Sequence, residues 1–246
     1  MTPGGANFIV GLNKKTGERV YGSQGFNDVA QYVSIMKTTI GDVPIYVTAT
    51  KSGLVAFSAT DGSLQFTSPK TGNKVAVIPT PIIAGNQIYH SSAYGAGNTL
   101  LTVSAEGGAV KFEENYHFAK ESMENHHGGY ILNEGTIYGF TNARRGVWIA
   151  QDLKTGEVLW NKKTGNAKSG SIAFADGMLY CYDATDGVCY LVQPSRDDWQ
   201  EKGSVKLPEP WAGDRQRGEI WAHPIIAGQK LIIRDQEYIY AFDIAR

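Results

Sequence analysis

Histidine is scarce in this chain, and two of its five copies are adjacent: His126 and His127, in the stretch MENHHGG. An imidazole can ligate a metal, carry a proton or hydrogen-bond a ligand near neutral pH. Consecutive residues on an extended strand point to opposite faces, so the pair is not expected to ligate one metal together. His223, in WAHPII, occupies a corresponding place further along the chain and can face the same surface, while His90 falls on a different kind of strand. A structural reading competes, in which these rings satisfy backbone groups where strands crowd together. The second chemistry is cationic. Arg144 and Arg145 lie in TNARRGV, and Arg215 and Arg217 lie between Trp211 and Trp221 in PWAGDRQRGEIW. Guanidinium groups beside indole faces suit an anionic or carbohydrate-like ligand. Solvated loop charge is the competing reading here, since Asp214 and Glu219 neutralise part of the second cluster.

Other chemistries lack their residues. The only cysteines are Cys181 and Cys189, with no CxxC spacing, so neither a zinc site nor a dithiol redox pair is indicated. The two flank YDATDGV and are expected to be reduced and buried, with a cross-strand disulfide as the alternative in an exported protein. No GxSxG, HExxH or GxxxxGK[ST] motif occurs. The glycine-rich stretches GGANFIVGL and SAYGAGNTLL precede strand-like sequence rather than helices, which makes them poor phosphate loops. A net charge of -1 argues against binding driven by nucleic-acid phosphates. The opening MTPGGANFIVGL does not read as a signal peptide, and no run of 18 apolar residues is present to span a membrane as a helix.

The elements that would position these groups are set by a repeat. Glycines at 17, 62, 108 and 156 are 45, 46 and 48 residues apart. They sit in GLNKKTGERVY, AFSATDGSLQF, TVSAEGGAVKF and AQDLKTGEVLW, and each is followed four residues later by an aromatic: Tyr21, Phe66, Phe112 and Trp160. A degraded copy without the Thr-Gly occupies VCYLVQPSRDDWQEKGSVKL, and another begins at Ala241-x-Asp243. Strand-like pairs such as GGYILNEG with TIYGFT, and GSIAFADG with MLYCYDA, fill the intervals. With 29 glycines, 13 tyrosines and almost no helical periodicity, the period predicts four-stranded antiparallel blades of a β-propeller. FAKESMENHH is expected to be a loop with one helical turn. The Asp or Asn of each repeat accepts backbone N–H bonds, the Gly takes positive φ, and the aromatic packs on the next blade. The count is two strands, then sixteen in four blades, then three. It predicts one propeller domain over 1–246, with complete blades over about 25–205 and partial ones at 1–24 and 206–246. Either a closed ring of about five blades, or an incomplete larger ring completed by another chain, satisfies it.

Residues 150 to 160, Ala150-x-Asp152-x-x-Thr155-Gly156-x-x-x-Trp160, resemble the tryptophan-docking motif of quinoprotein-type propellers. ENHHGGYILNEGTIYGF and WAHPIIAGQKLIIRDQEYIYAFD are similar to bacterial periplasmic PQQ-like repeat propellers described as polyvinyl-alcohol-dehydrogenase-like. The resemblance implies a propeller over essentially the whole chain and a periplasmic or secreted location. Relatives include pyrroloquinoline-quinone dehydrogenases and an outer-membrane assembly scaffold, and usually carry more blades. A quinone enzyme needs calcium ligands, a catalytic Asp and a flat clamp that in its best-known members includes a disulfide between adjacent cysteines. This sequence has no Cys-Cys pair, and Asp235 and Glu237 in RDQEY are expected in a surface turn. The expectation is therefore a non-catalytic binding or scaffold module of the bacterial envelope. Its partner would be a protein or a small anionic or carbohydrate-like ligand, bound on the loop face holding His126, Arg144, Trp221 and His223. No cofactor is evident; quinone and calcium enter only through the resemblance, as does the alternative of an alcohol or sugar dehydrogenase or a fragment of one.

Overall fold

The computed structural model describes residues 1–120, 122–208, 221–235 and 238–245, all but the side chain of Arg144. The chain divides into two compact units, Met1–Lys120 and Glu121–Arg246. In the first, β1 (Val10–Leu12) and β2 (Arg19–Gly22) form a two-stranded sheet. Two four-stranded sheets follow: β3 (Met36–Ile40), β4 (Val43–Thr50), β5 (Gly53–Ser58) and β6 (Leu64–Ser68), then β7 (Ile82–Ala84), β8 (Gln87–Ser92), β9 (Gly97–Glu106) and β10 (Ala109–Phe118). The second unit has β11 (Tyr130–Asn133), β12 (Thr136–Thr141), β13 (Val147–Asp152) and β14 (Val158–Lys162), then β15 (Gly170–Ala175), β16 (Met178–Asp183), β17 (Val188–Gln193) and β18 (Gln200–Lys206). It ends in a three-stranded sheet of β19 (Ile225–Ala227), β20 (Lys230–Asp235) and β21 (Tyr238–Asp243). Every pairing within the sheets is antiparallel between sequence neighbours, as the repeat requires.

The second strand of each full sheet is largely buried on both faces, as is the third in two of them. β5 (GLVAFS) and β12 (TIYGFT) are buried along their whole length, so they read as continuous apolar or small runs rather than alternating ones. Within the second unit the sheets stack face to face. Leu179 and Cys181 of β16 pack with Phe140, Trp148 and Trp160 of the preceding sheet. The intervening Tyr180 and Tyr182 pack the other way, with Leu231 and Ile233 of β20. The first unit repeats this: Leu54 and Ala56 of β5 meet Ile88 and Leu101, while Val55 and Phe57 meet Phe8 and Ile9. Each such side chain, fully buried, contributes roughly 1.5–3 kcal/mol. The register also separates the cysteines. Cys181 is opposite Tyr190 and Cys189 is opposite Tyr182, so the thiols project from opposite faces of one sheet into different cores. Both are free, which removes the disulfide alternative.

The repeat's turns follow the chemistry read from the sequence at three of the four copies. The Asp152 carboxylate accepts the N–H groups of Lys154 (2.9 Å) and Thr155 (2.8 Å), and Gly156 closes the turn at φ +72. Asn13 and Ser58 do the same before Gly17 and Gly62. The copy at Gly108 differs. Glu106 pairs directly with Ala109, so Gly107 and Gly108 make a two-residue hairpin with both φ positive, and no capping side chain is needed. The aromatics reach the next sheet within their own unit. Tyr21 Oη donates to the Ala59 carbonyl (3.3 Å), Phe66 lies 5.1 Å from Phe112, and Trp160 Nε1 donates to the Ser195 carbonyl (2.9 Å). Two expectations are corrected. The chain from Phe118 is the end of β10 and then loop among the described residues, without a helical turn. Asp235 is not at the surface but 1% exposed, because it ends a second strand rather than sitting on the hairpin tip; Glu237 lies outside the described residues.

Candidate aromatic and imidazole site

The loops that enter three of the four-stranded sheets are held by a cross-tie that the sequence reading did not find. The second strands β8, β12 and β16 end in buried Ser92, Thr141 and Asp183. Each bonds to a residue 19 positions earlier, on the strap that leads into its own sheet. Asn73 Nδ2 donates to Ser92 Oγ (2.6 Å), Thr141 Oγ1 donates to the Ser122 carbonyl (2.7 Å), and Thr164 Oγ1 donates to Asp183 Oδ2 (3.3 Å). The same polar side chains cap the following turn: Thr141 accepts the Ala143 N–H and Asp183 accepts those of Thr185 and Asp186. The varying residue types, Ser, Thr and Asp, hide this period from a search for one repeated letter.

His126 and His127 ride on the strap before β11. Asn125, 1% exposed, shapes it: Nδ2 donates to the Gly129 carbonyl (2.7 Å) and the Phe140 carbonyl (2.9 Å), while Oδ1 accepts the Gly129 N–H (3.0 Å). Gly129 takes φ +68. Gly128 presses against the Gly170 backbone at the start of β15, and a Cβ there would overlap the carbonyl. This folding corrects the expected geometry. The histidines lie in a bend rather than on a strand, so they do not diverge; their ring centroids are 5.2 Å apart.

The next two straps complete the cluster. Ser169, just before β15, hydrogen-bonds His127 Nε2 through its hydroxyl. His223, before β19, donates from Nε2 to the His127 carbonyl (2.8 Å). Trp221 sits 5.2 Å from the His127 ring and 5.8 Å from that of His126, with 52% of its surface exposed. Burial, then the neighbouring His126 and His223, pushes the His127 pKa down to about 4, and burial also lowers that of His126. His127 Nδ1 is buried and unpartnered. The cluster is therefore an exposed indole on a bed of imidazole, in which burial makes His127 a poor base. His90 belongs elsewhere. It is fully buried on β8, bonded to Thr71 Oγ1 (2.7 Å) and the Pro79 carbonyl (3.1 Å), and burial holds its pKa near 4.

Of the four candidate arginines only Arg145 is described in full, and it stands on a separate loop. Arg145 is exposed at φ +64 on the β12–β13 loop. That loop is pinned by Lys163 Nζ, which donates to the carbonyls of Arg145 (3.0 Å), Gly146 (2.8 Å) and Ala167. It meets the histidine strap through the Asn142 N–H and the Glu124 carbonyl (2.9 Å). Arg144 shares the loop through its backbone. Trp211, Arg215 and Arg217 lie outside the described residues. The docking residues form a separate, mechanical site. Asp152 Oδ2 pairs with Arg196 Nη2 (2.7 Å), and Arg196 Nη1 donates to Thr136 Oγ1 (3.0 Å). Ala150 is fully buried in the core beside Trp160, and Thr155 Oγ1 donates to Asp152 Oδ1 (3.1 Å) and accepts the Glu157 N–H.

The Trp221 cluster, Asp183 and the two thiols do not fit a quinone and its calcium. Calcium takes oxygen ligands, and the Trp221 cluster offers ring nitrogen. Buried Asp183 spends its carboxylate on its own turn and on Thr164. The two thiols stand on opposite sheet faces and cannot clamp a ring. Among the described residues no three His, Cys, Asp or Glu side chains are grouped to hold a metal ion.

A family model described as outer membrane protein assembly factor BamB matches residues 2–200. Among solved structures, BamB from Moraxella catarrhalis superposes with a TM-score of 0.62 at 14% identity, over 98% of this chain and 66% of that one. A putative 6-phosphogluconolactonase from Bacteroides fragilis gives 0.62 at 12% identity, over 98% and 75%. Saccharomyces cerevisiae Sqt1 gives 0.56 at 11%, over 92% and 74%. These likenesses establish the β-propeller fold, and the chain spans about two thirds of the length of the BamB structure. No curated protein matches the chain.

Proposed function

The chain belongs to the PQQ-like β-propeller family of outer membrane protein assembly factor BamB, and from that premise we propose that it is a non-catalytic protein-binding scaffold of the bacterial cell envelope, acting on the periplasmic side. One observation carries the reading: three consecutive straps converge on a single exposed indole, Trp221, backed by imidazole rings whose hydrogen bonds serve the fold. A half-exposed Trp on a fixed base is the form of an interface anchor, where a few aromatic residues supply most of the binding energy. Catalysis would ask for a group with a pKa near the working pH, and His127 is held far below it. Partners fitting this surface are protein segments that place an apolar or aromatic side chain on the indole, with the exposed Arg145 on the neighbouring loop available to acidic residues.

The test is affinity capture from a bacterial envelope extract with the intact chain and with Trp221→Ala, followed by measurement of the retained protein's dissociation constant. Losing a hot-spot Trp costs about 2 kcal/mol or more, so binding should weaken at least about thirtyfold. Equal affinity of the two proteins removes this face from the function. Titration with pyrroloquinoline quinone and calcium separates the enzyme alternative. The scaffold reading expects no change in melting temperature or visible absorbance at high excess; a shift that saturates would restore the quinone reading.

A further inference from the structure

The second unit is electrically polarised along its strands. Antiparallel pairing brings the ends of β12, β14, β16 and β18 to one end of their sheets, together with the starts of β11, β13, β15 and β17. The β12–β13 loop, the strap between β14 and β15 and the tip of β18 share that end. They present Arg145, Lys162, Lys163, Lys168 and Lys206, all exposed, and none is ion-paired among the described residues. The carboxylates there are Glu124, half-buried on the strap before β11; Asp183, buried and bound to Thr164; and Asp186, whose Oδ2 accepts the Asn166 N–H (2.8 Å). The turns at the opposite end reverse the balance. Glu134, Asp152, Glu157, Asp176, Asp197 and Asp198 stand there against Lys154 and Arg196, and Arg196 is already paired with Asp152.

The basic end is also the Trp221 end. Lys168 adjoins Ser169, which holds the His127 ring, and the Lys168 carbonyl accepts from Asn142 Nδ2 (3.2 Å). The Asn142 N–H meets the Glu124 carbonyl, two residues before His126. Lys163 gathers the group: its ammonium donates to the carbonyls of Arg145, Gly146 and Ala167, so Arg145 and Lys168 are held beside a third cation. Like charges gathered without counter-ions repel one another, and a joint between sheets has no use for them. Around a half-exposed indole they make a cationic rim to an anchor.

We propose that the partner of this face is a protein with an acidic docking surface, whose carboxylates surround the apolar side chain that covers Trp221. The inference rests on the reading of Trp221 as a protein anchor and adds the partner's charge. Arg145 and Lys168 pair with the nearer carboxylates. Lys162 and Lys206, at the ends of the outermost strands, act over a longer range and speed the encounter. The acidic turns at the other end orient the unit so that its basic end arrives first.

The probe is an acetylated dodecapeptide with a central leucine flanked by glutamates, titrated into the isotopically labelled full chain. Saturable shifts of the Lys168, Ser169 and Trp221 signals are expected, and the copy with glutamines in place of glutamates should bind about tenfold more weakly at low salt. Lys168→Glu should weaken binding severalfold and Lys206→Glu about twofold, both effects fading at high salt, while Asp197→Lys at the far end should leave the affinity unchanged. Trp221→Ala should remove the advantage of the leucine peptide over its serine counterpart and keep the dependence on salt. The two readings fail separately. If the glutamine copy and the charge variants bind like the originals while Trp221→Ala weakens binding, the acidic partner is overturned and the anchor stands. If Trp221→Ala changes nothing and the charge dependence persists, the anchor fails and the acidic docking surface stands. Absence of shifts up to millimolar peptide overturns the proposal. So does flotation of the chain with phosphatidylglycerol vesicles that Lys168→Glu abolishes and the peptide does not compete, which would make a lipid surface the occupant.

Discussion

Replacing Trp160 tests whether the repeat's aromatic joins one sheet to the next. The ring is 9% exposed, packed 6.1 Å from Tyr138 and 6.0 Å edge-on to Trp199, and its Nε1 donates to the Ser195 carbonyl at 2.9 Å. A buried Trp→Ala substitution costs about 3–5 kcal/mol through lost burial and a residual cavity, and the hydrogen bond adds about 1. The carbonyl is not orphaned, because Tyr138 Oη also donates to it at 3.1 Å. Trp160→Ala should therefore cost about 4 kcal/mol, or about 8–16 °C of melting temperature at this chain length. Trp160→Phe keeps most of the ring and should cost about 1–1.5 kcal/mol. The shared acceptor makes a sharper forecast. Trp160→Phe and Tyr138→Phe each leave Ser195 one donor, whereas the double variant leaves none, so their costs should exceed additivity by about 0.5–1 kcal/mol. Urea unfolding followed by circular dichroism reads all four proteins. A Trp160→Ala cost below about 1 kcal/mol, or strict additivity in the double variant, refutes the docking account.

Two further outcomes follow from buried titratable groups. His90 and His127 are both held near pKa 4 in the folded chain against about 6.5 unfolded. The unfolded state then binds protons first as the pH falls, so stability is full above about 6.5 and is lost progressively down to about 4. Each contributes on the order of a few kcal/mol to that loss, and His90→Gln should flatten the dependence of the urea midpoint on pH; a wild-type midpoint unchanged between pH 7 and 4.5 would contradict the assignment. Burial pushes the Cys189 thiol up to about 12 and Cys181 well above its usual range. Neither should react with a thiol reagent at pH 8 in the native protein, both should react in urea, and mass spectrometry after mild oxidation should show no disulfide between them.

The repeat was legible because its turns obey local rules. Asn13, Ser58 and Asp152 each precede a glycine at fixed spacing, and the side-chain to backbone bonds they make need only neighbours in sequence. The strand count followed from the same period. His126, His127, Trp221 and His223 could be placed on one face by blade arithmetic alone, and they do meet in the second unit. The geometry of the meeting was not legible. Treating NHHGG as the approach to a straight strand made the two rings diverge, whereas Asn125 and Gly129 bend the strap and bring them together. Asp235 was misplaced for a related reason: RDQEY reads as a polar hairpin, and only the cross-sheet tie at equivalent positions shows that a polar side chain belongs inside. Ser92, Thr141 and Asp183 escape a letter-based repeat search because the fold asks for a small buried oxygen at that point, which three residue types supply.

This division of labour explains why a signature shared with cofactor enzymes need not carry a cofactor. In Ala150-x-Asp152-x-x-Thr155-Gly156-x-x-x-Trp160 every polar atom with a described bond is turned toward the fold: Asp152 to its turn and Arg196, Thr155 to Asp152 and Glu157, Trp160 to Ser195. A motif whose described bonds are made within the scaffold repeats wherever sheets must be joined. On the proposed reading the functional surface comes from the straps, which the cross-ties hold at one end and the next sheet at the other. Within that frame the residues between the fixed points can change without disturbing the blades. Trp221 illustrates the result: the fold spends the His127 carbonyl, the Ser169 hydroxyl and the Asn125 amide on fixing the base beneath it, and leaves the indole half in water. Substituting Asn125 should therefore loosen the straps and weaken partner binding even though its side chain is buried and cannot touch the partner. Asn125→Ala leaves the Gly129 N–H and two carbonyls without their side-chain partner, at a cost of about 2–3 kcal/mol. If partner affinity survives that loss while Trp221→Ala abolishes it, the anchor works without its base, and preorganisation by the straps is not what makes the site.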